Sequence, residues 1–290
     1  MLTPLRRHSG FSKAFLRHAL ANASDPVARF ATDHRQLSIY TFLTLLTLIC
    51  SQAIADNSSV KLSTGAEYIT GNYGGTKPID QLYIPVTMRY SIDRYSYRLT
   101  IPYTTVNAPS DTILSDGTVI PGTGGFTTES GIGDVIVAAT YRDLLDTETT
   151  SDLAIDLTAR IKFGTASTDK NLGSGEDDYT LQADVYRFFD RTTLFGTLGY
   201  KLRGDPPGID LDNSLILFIG GNHRLTPDYK FGMDLYYQQS SISGLDDQME
   251  LSESLGYWIS RTRYLRGYLI QGLSDASPDW GAGFYITFIL

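Results

Sequence analysis

Charged side chains occur in the middle of alternating apolar stretches, and this placement is the most informative chemical feature of the chain. Most of them are flanked on both sides by apolar residues. Ionised groups are costly in hydrocarbon, so charged residues of a membrane-embedded segment face the protein interior and pair with one another. The candidate pore-lining residues are Arg89, Arg98, Asp156, Arg160, Lys162, Asp184, Lys201, Arg203, Lys230, Asp234 and Glu250.

Two uses of this charged set remain open. The residues could line a polar pore, or they could form a ladder of ion pairs that packs a narrow interior shut. Basic and acidic members are interspersed along the chain. We therefore expect a lumen of mixed charge and no strongly basic interior.

Nucleophilic catalysis is the alternative chemistry, and the histidines restrict it. A serine nucleophile needs a base within hydrogen-bond reach. Three of the four histidines, His8, His18 and His34, lie in the first 55 residues. The fourth, His223, follows Asn222 in a short connection and is interpreted as a solvated turn residue. We predict no catalytic residue and no enzymatic activity, and we keep a membrane-embedded, phospholipase-like hydrolase as an alternative function.

Acidic and glycine-rich loops are candidates for metal or phosphate binding, and their spacing argues against both. Residues 176–178 are consecutive acids, and Asp205, Asp210 and Asp212 form a second acidic group. Oxygen-rich loops can hold Ca²⁺, but neither group has the spacing of an EF-hand. The glycine cluster at 122–125 has no helix after it to complete a phosphate site. The sequence therefore predicts neither a metal site nor a cofactor.

The elements that must position the charged residues are strands with a period of two. In the last segment, Trp280, Phe284 and Phe288 share one face with other apolar residues, while Thr287 lies on the opposite face. About twelve such segments follow one another from residue 60 onward. An even number of strands, apolar outside and polar inside, is typical of an outer-membrane barrel. The predicted fold is all-β, a transmembrane antiparallel up-and-down β-barrel of about twelve strands.

The connections between these strands alternate in length, as they do in outer-membrane barrels. Short ones near 91–94, 189–193 and 223–228 are expected to be periplasmic turns, and long ones such as 104–131 and 164–178 to be extracellular loops. The predicted location is the outer membrane, with membrane lipid around the barrel. The last strand is similar to the C-terminal signal that such barrels present to the barrel-assembly machinery, so that machinery is a predicted partner.

The first 55 residues are predicted to be a presequence that is cleaved. The apolar run 39–49 is too short to span a bilayer and suits the central region of a signal peptide, with small residues at Ala53 and Ala55. Residues 56–290 then form the barrel domain, with 18 basic and 30 acidic residues. Such an acidic balance argues against nucleic acid as a partner.

The connection at 104–131 is the longest, and it is unusually apolar for an exposed loop. Apolar side chains on an extracellular loop remain exposed unless they find a surface to cover. The barrel mouth is the nearest concave surface, so the loop is a candidate gate, with a disordered loop as the alternative. The gating-loop candidates are Ile113, Leu114, Val119, Ile120 and Phe126.

Several blocks resemble a family of outer-membrane transporters linked to the meta-pathway of phenol degradation. The matching stretches are residues 83–90, 100–103, 129–134, 162–165 with 175–179, 204–208 and 277–281. The resemblance covers the chain from about residue 60 to its end. It implies a channel or transporter for small solutes, with aromatic or hydrophobic molecules as the expected class. A non-conducting structural barrel is a further alternative.

Overall fold

The computed structural model describes residues 58–115, 118–144 and 152–290, so the presequence predicted at 1–55 lies outside the described residues. This part of the chain contains no helix long and apolar enough to cross a membrane. Its strands are β1 (Ser58–Gly71), β2 (Ile79–Ile92), β3 (Tyr95–Pro109), β4 (Ile113–Ser115), β5 (Thr118–Ile120), β6 (Phe126–Ile132), β7 (Val135–Tyr141), β8 (Leu153–Phe163), β9 (Asp178–Phe188), β10 (Thr192–Leu202), β11 (Ser214–Arg224), β12 (Tyr229–Gln238), β13 (Gln248–Ser260), β14 (Arg263–Gly272) and β15 (Trp280–Ile289).

All of these strands except β4 and β5 belong to one closed antiparallel barrel. Strands β6 and β7 are two halves of a single barrel strand, since both pair with β3. Every other strand pairs with its neighbours along the chain, and β15 pairs with β1 to close the sheet. Counting β6 and β7 as one, the barrel has twelve strands, and the predicted up-and-down barrel is confirmed.

The alternation along each strand separates an apolar outer face from a polar lumen. Val86, Leu198 and Leu269 are 50%, 56% and 60% exposed on the outside, where lipid would cover them. The phase of β14 was ambiguous in the sequence, because Arg266 and Gln271 fall on opposite faces. Arg266 faces the lumen, which places Gln271 on the outer face together with Leu269.

The two ends of the barrel differ in the length of their connections. One end has short turns at residues 93–94, 189–191 and 261–262. The opposite end has long connections, among them 164–177 and 203–213. Short periplasmic turns and long extracellular loops are the rule in outer-membrane barrels. This asymmetry assigns the first end to the periplasm and the second to the exterior.

The segment 104–131 contains more strand than the sequence pattern predicts. Strand β3 continues to Pro109, and β6 begins at Phe126 and pairs with it. Asn107 and Pro109 near the end of β3 obscure the alternation, although Asn107 pairs in register with Asp80 of β2. The true connection is therefore 110–125, and it contains the small hairpin β4–β5.

The two faces of β2 should respond differently to an introduced arginine. Val86 lies halfway along β2 on the outer face, and the adjacent Thr87 faces the lumen. Val86→Arg should destabilise the barrel by about 2–4 kcal/mol, since it places a cation in the bilayer midplane. Thr87→Arg loses one hydrogen bond to Thr100, worth about 1 kcal/mol. Urea unfolding in lipid vesicles measures both, and equal losses would contradict the lipid-facing assignment.

Candidate functional site

The lumen contains two cavities, one above the other. The larger, of about 880 Å³, occupies the periplasmic half, and the smaller, of about 370 Å³, occupies the extracellular half. Tyr83, Ile136 and Arg160 line both of them. These three side chains therefore mark the boundary between the two halves of the lumen.

A row of cations runs from strand to strand around the inside of the barrel wall, on the periplasmic side, and reaches this boundary at Arg160. Lys61 of β1 is directly opposite Arg89 of β2, which is directly opposite Arg98 of β3. The row continues through Ala138 of β7 to Arg160 of β8. Like charges that face each other across strands destabilise a sheet. Structural packing alone therefore gives no reason for this row.

A second row of cations lies on the other side of the same cavity. Arg224 of β11 is opposite Lys230 of β12, and Gly256 of β13 separates Lys230 from Arg266 of β14. A side chain at position 256 would collide with the Tyr264 hydroxyl, so the glycine makes room for that ring. Only Arg266 of this row approaches a carboxylate in the described residues, with 3.7 Å between its guanidinium and Asp234.

Aromatic rings border the second row of cations. The ring centroids of Trp258 and Tyr264 are 4.8 Å apart, and those of Tyr268 and Tyr285 are 5.5 Å apart in a stacked pair. The Arg266 guanidinium lies 5.8 Å from the Tyr268 ring centre, within the range of a cation–π contact. The cavity wall therefore offers flat apolar faces next to positive charge.

The basic residues of the lumen concentrate around the larger cavity, although Asp156, Asp184 and Asp234 also lie on the inward face of the periplasmic half. Among the described residues, Asp190 is the one acid that lines the larger cavity, and it lies at its rim. Lys61, Arg191, Arg224 and Arg266 were not among the predicted pore-lining residues, although they line this cavity. The basic residues around the larger cavity are Lys61, Arg89, Arg98, Arg160, Arg191, Arg224, Lys230 and Arg266.

The predicted acids of β8 and β9 do not line either cavity. Asp156 accepts a hydrogen bond of 2.9 Å from the Asp143 amide. Asp184 accepts hydrogen bonds from the Gln182 amide at 3.0 Å and from the Thr197 hydroxyl at 2.6 Å. Neutral backbone and side-chain donors therefore form hydrogen bonds with both carboxylates at the barrel wall.

The acids that line the smaller cavity lie above the boundary. Glu250 lines the smaller cavity together with Glu67, which the sequence analysis missed. The Tyr268 hydroxyl donates a hydrogen bond of 2.5 Å to Glu67. Lys201 and Arg203, both predicted as pore-lining, are buried beside Gln238 and other polar groups and line neither cavity. The wall of the smaller cavity thus contains both acidic and basic residues, since Arg160 and Lys162 line it as well.

Lys162 is the centre of a buried ion-pair cluster on the extracellular side. Its ammonium lies 3.2 Å from one oxygen of Asp134 and 3.2 Å from Asp178 Oδ2. It also lies 3.3 Å from the Ser174 hydroxyl, in the connection between β8 and β9. Asp178 Oδ2 has no conventional hydrogen bond in the described part, so the ammonium is the contact that balances it. The cluster ties β7, β8 and β9 to the loop above them.

The hairpin β4–β5 is part of a cap over the extracellular cavity. Leu114 is buried in a small apolar core with Tyr73 and Leu172, which come from two other extracellular loops. Val119 packs against this core, and it lines the smaller cavity together with Leu114. The other gating-loop candidates are Ile113 and Ile120, which are half-buried, and Phe126, which is 45% exposed at the start of β6.

Polar contacts anchor the hairpin at its base and tip. The Asp111 carboxylate accepts hydrogen bonds of 3.0 and 2.7 Å from the amides of Thr123 and Gly124. These bonds hold the pKa of Asp111 below its usual range. The anchor is therefore intact above the ordinary aspartate pKa and is lost only as the pH falls through the lowered value. At the tip, the hydroxyls of Thr118 and Ser241 are 3.2 Å apart.

His223 lies at the exposed periplasmic end of β11. Its Nδ1 is 2.9 Å from the Thr192 hydroxyl across the β10–β11 pair. His223 therefore lies at the rim that faces the periplasm, away from the outer leaflet. No group of three or more metal-binding side chains occurs in the parts of the chain that the structure describes.

A closed barrel of twelve strands with an apolar outer face and a charged lumen defines the protein as an outer-membrane β-barrel. The sequence model of a protein family matches residues 82–288, and the description of that family is the MetA-pathway of phenol degradation. The chain belongs to this family, and the resemblance noted in its sequence motifs is confirmed. No curated protein matches it in sequence.

Solved structures with the same fold include an outer-membrane channel from Pseudomonas putida F1. It is 12% identical, with a TM-score of 0.65, over 82% of this chain and 97% of that one. The KdgM porin is 10% identical, with a TM-score of 0.49, over 79% and 98%. The NanC porin is 12% identical, with a TM-score of 0.49, over 79% and 98%. At these identities the similarity concerns the fold alone. Of the three TM-scores, only that of the Pseudomonas putida channel supports the fold.

Removing the Lys162 ammonium should weaken the extracellular half of the barrel. Lys162→Met leaves buried carboxylates without their counter-charge, and we expect a loss of about 3–5 kcal/mol. The double variant Lys162→Met, Asp178→Asn should recover part of it. The matched control is Arg187→Met, which breaks an ion pair with Asp152 in which both side chains are 47% exposed. That loss should be about 0–1 kcal/mol in the same urea titration. Equal losses would show that the buried cluster has no special role.

Proposed function

We propose that the protein is an outer-membrane channel for small solutes, with partly hydrophobic or aromatic molecules as the solute class. The observation that carries the proposal is the pair of stacked cavities inside a closed barrel. Together they extend along most of the lumen, and they meet at Tyr83, Ile136 and Arg160. A lumen filled by ion pairs would leave no such space.

The hairpin β4–β5 supplies the constriction of this channel. Leu114 and Val119 form part of the roof of the smaller cavity, so a solute that enters from outside meets apolar groups first. The cap is built from three loops around a small apolar core, and polar contacts such as those from the Lys77 ammonium to the Thr123 and Gly124 carbonyls join the loops. A partly hydrophobic solute can replace those apolar contacts while it passes.

Deleting the constriction should widen the channel. Removal of about residues 110–124 should raise single-channel conductance in planar bilayers. It should also reduce discrimination between an aromatic solute and a polar solute of equal size, because the apolar roof is lost. The matched control removes the exposed residues 207 and 208 from another extracellular loop, which lines neither cavity.

The outcome separates the alternatives. Unchanged conductance in a barrel that stays heat-modifiable on a gel would show that the hairpin is surface structure. Absence of any conductance from the wild-type protein would favour the non-conducting structural barrel. Release of fatty acid from bilayer lipid, lost on His223→Ala, would favour the hydrolase.

A further inference from the structure

Basic residues outnumber acids in the wall of the larger cavity. Within the described part of the chain, Lys61, Arg89, Arg98 and Lys230 form no ion pair with a carboxylate, although all four line the cavity. The chain as a whole is acidic, with a formal net charge of −8. Local enrichment of cations against this background points to an anionic occupant.

The two rows of cations are arranged to bind a planar anion. Arg89 and Arg98 are direct cross-strand neighbours, and their guanidinium groups present planar forks of donors. Such forks bind carboxylates through two parallel hydrogen bonds. A bound anion also relieves the repulsion between the facing cations. Binding of an anion thereby offsets the unfavourable free energy of placing Arg89 beside Arg98.

The aromatic residues indicate what the anion is attached to. Trp258, Tyr264 and Tyr285 line the same cavity, on the side of Arg266. A ligand that carries a carboxylate on a ring can contact the cations and the aromatic faces together. The cavity volume of about 880 Å³ lies within the range of roughly 300–1,000 Å³ that is usual for small-molecule sites.

The adjacent cavity limits where an anion can rest. Glu67 and Glu250 line the smaller cavity, whereas the wall of the larger one is mainly basic. Cations are therefore more numerous around the larger cavity than around the smaller one, where Arg160 and Lys162 are accompanied by three acids. An anion that has passed the cap is drawn into the larger cavity and is held there.

We propose that the larger cavity is a binding site for aromatic carboxylates, within the channel and on its periplasmic side. This inference deepens the proposed channel function and rests on it for the entry of the ligand. The ligand's carboxylate binds the facing guanidinium groups of Arg89 and Arg98. Its ring packs among Trp258, Tyr264 and Tyr285, close to the second row of cations.

The test uses benzoate, with benzyl alcohol as the uncharged probe of similar size. In planar bilayers under a KCl gradient, the reversal potential should show preference for chloride, and benzoate should block the current where benzyl alcohol does not. The double variant Arg89→Gln, Arg98→Gln should raise the half-blocking benzoate concentration about tenfold or more, since charge-assisted hydrogen bonds are lost. The matched control Arg261→Gln removes a cation from an exposed periplasmic turn, outside the cavity, and should change nothing.

A binding measurement keeps this proposal separate from channel activity. Trp258 lies in the cavity, and the other tryptophan, Trp280, is half-exposed on the outer face. In a Trp280→Phe background in detergent, benzoate should change the fluorescence of Trp258, and benzyl alcohol should not. Arg98→Lys keeps the charge without the planar fork, so it should bind benzoate with intermediate affinity even if the double variant does not fold.

The results distinguish the channel function from the binding site. Benzoate binding without any conductance would overturn the channel function and leave the site standing. Conductance with equal block by benzoate and benzyl alcohol, or with no fluorescence response to benzoate, would overturn the site and leave the channel standing. Preference for chloride without preference for benzoate would identify an inorganic-anion pore and would also overturn the proposal.

Discussion

The closing pair of strands is the interaction on which the rest of the structure depends. Backbone groups inside a bilayer have no water to bond, so a sheet that spans it must have no free edge. Strands β1 and β15 meet this requirement by pairing from Lys61 with Ile289 to Thr70 with Trp280. Once the barrel is closed, every residue faces either lipid or lumen. The apolar and polar residues that alternate in the sequence are then separated strictly, with one set facing lipid and the other facing the lumen.

Closure also decides which lumen residues become neighbours. Strands of a closed barrel are tilted, so a row of directly paired residues climbs the wall as it passes from strand to strand. Lys61 lies near the periplasmic start of β1, yet its row reaches Arg160 near the extracellular end of β8. Charges that are scattered along the chain are thereby collected on one surface. The basic cavity is a product of register and cannot be recognised from the order of residues alone.

The sequence predicted the barrel, its number of strands and the inward phase of most charged residues, because these follow from a local period of two. It could predict neither the concentration of cations around the larger cavity nor the position of Arg266, because both depend on pairings between distant strands. The neighbours Arg89 and Arg98 are the exception, since a short turn joins their strands. The continuation of β3 to Pro109 was missed because Asn107 and Pro109 interrupt the pattern where pairing with β2 and β6 still holds. The buried cluster around Lys162 depends on a loop that returns over the barrel, which no periodicity reveals.

The two groups of lumen cations differ in how completely the protein satisfies them, and this difference separates structural from functional charge. Lys162 is surrounded by two carboxylates and a hydroxyl and is 2% exposed, so its charge is used within the fold. A buried ammonium with complete partners leaves nothing for a ligand, and removing one member of such a cluster is costly because the other charges stay buried without a partner. Arg89 and Lys61 are exposed to the lumen and stand opposite each other. Repulsion between them is tolerable in a water-filled cavity and is relieved whenever an anion enters. The extracellular cluster thus holds the cap in place, while the periplasmic rows remain available to a passing solute.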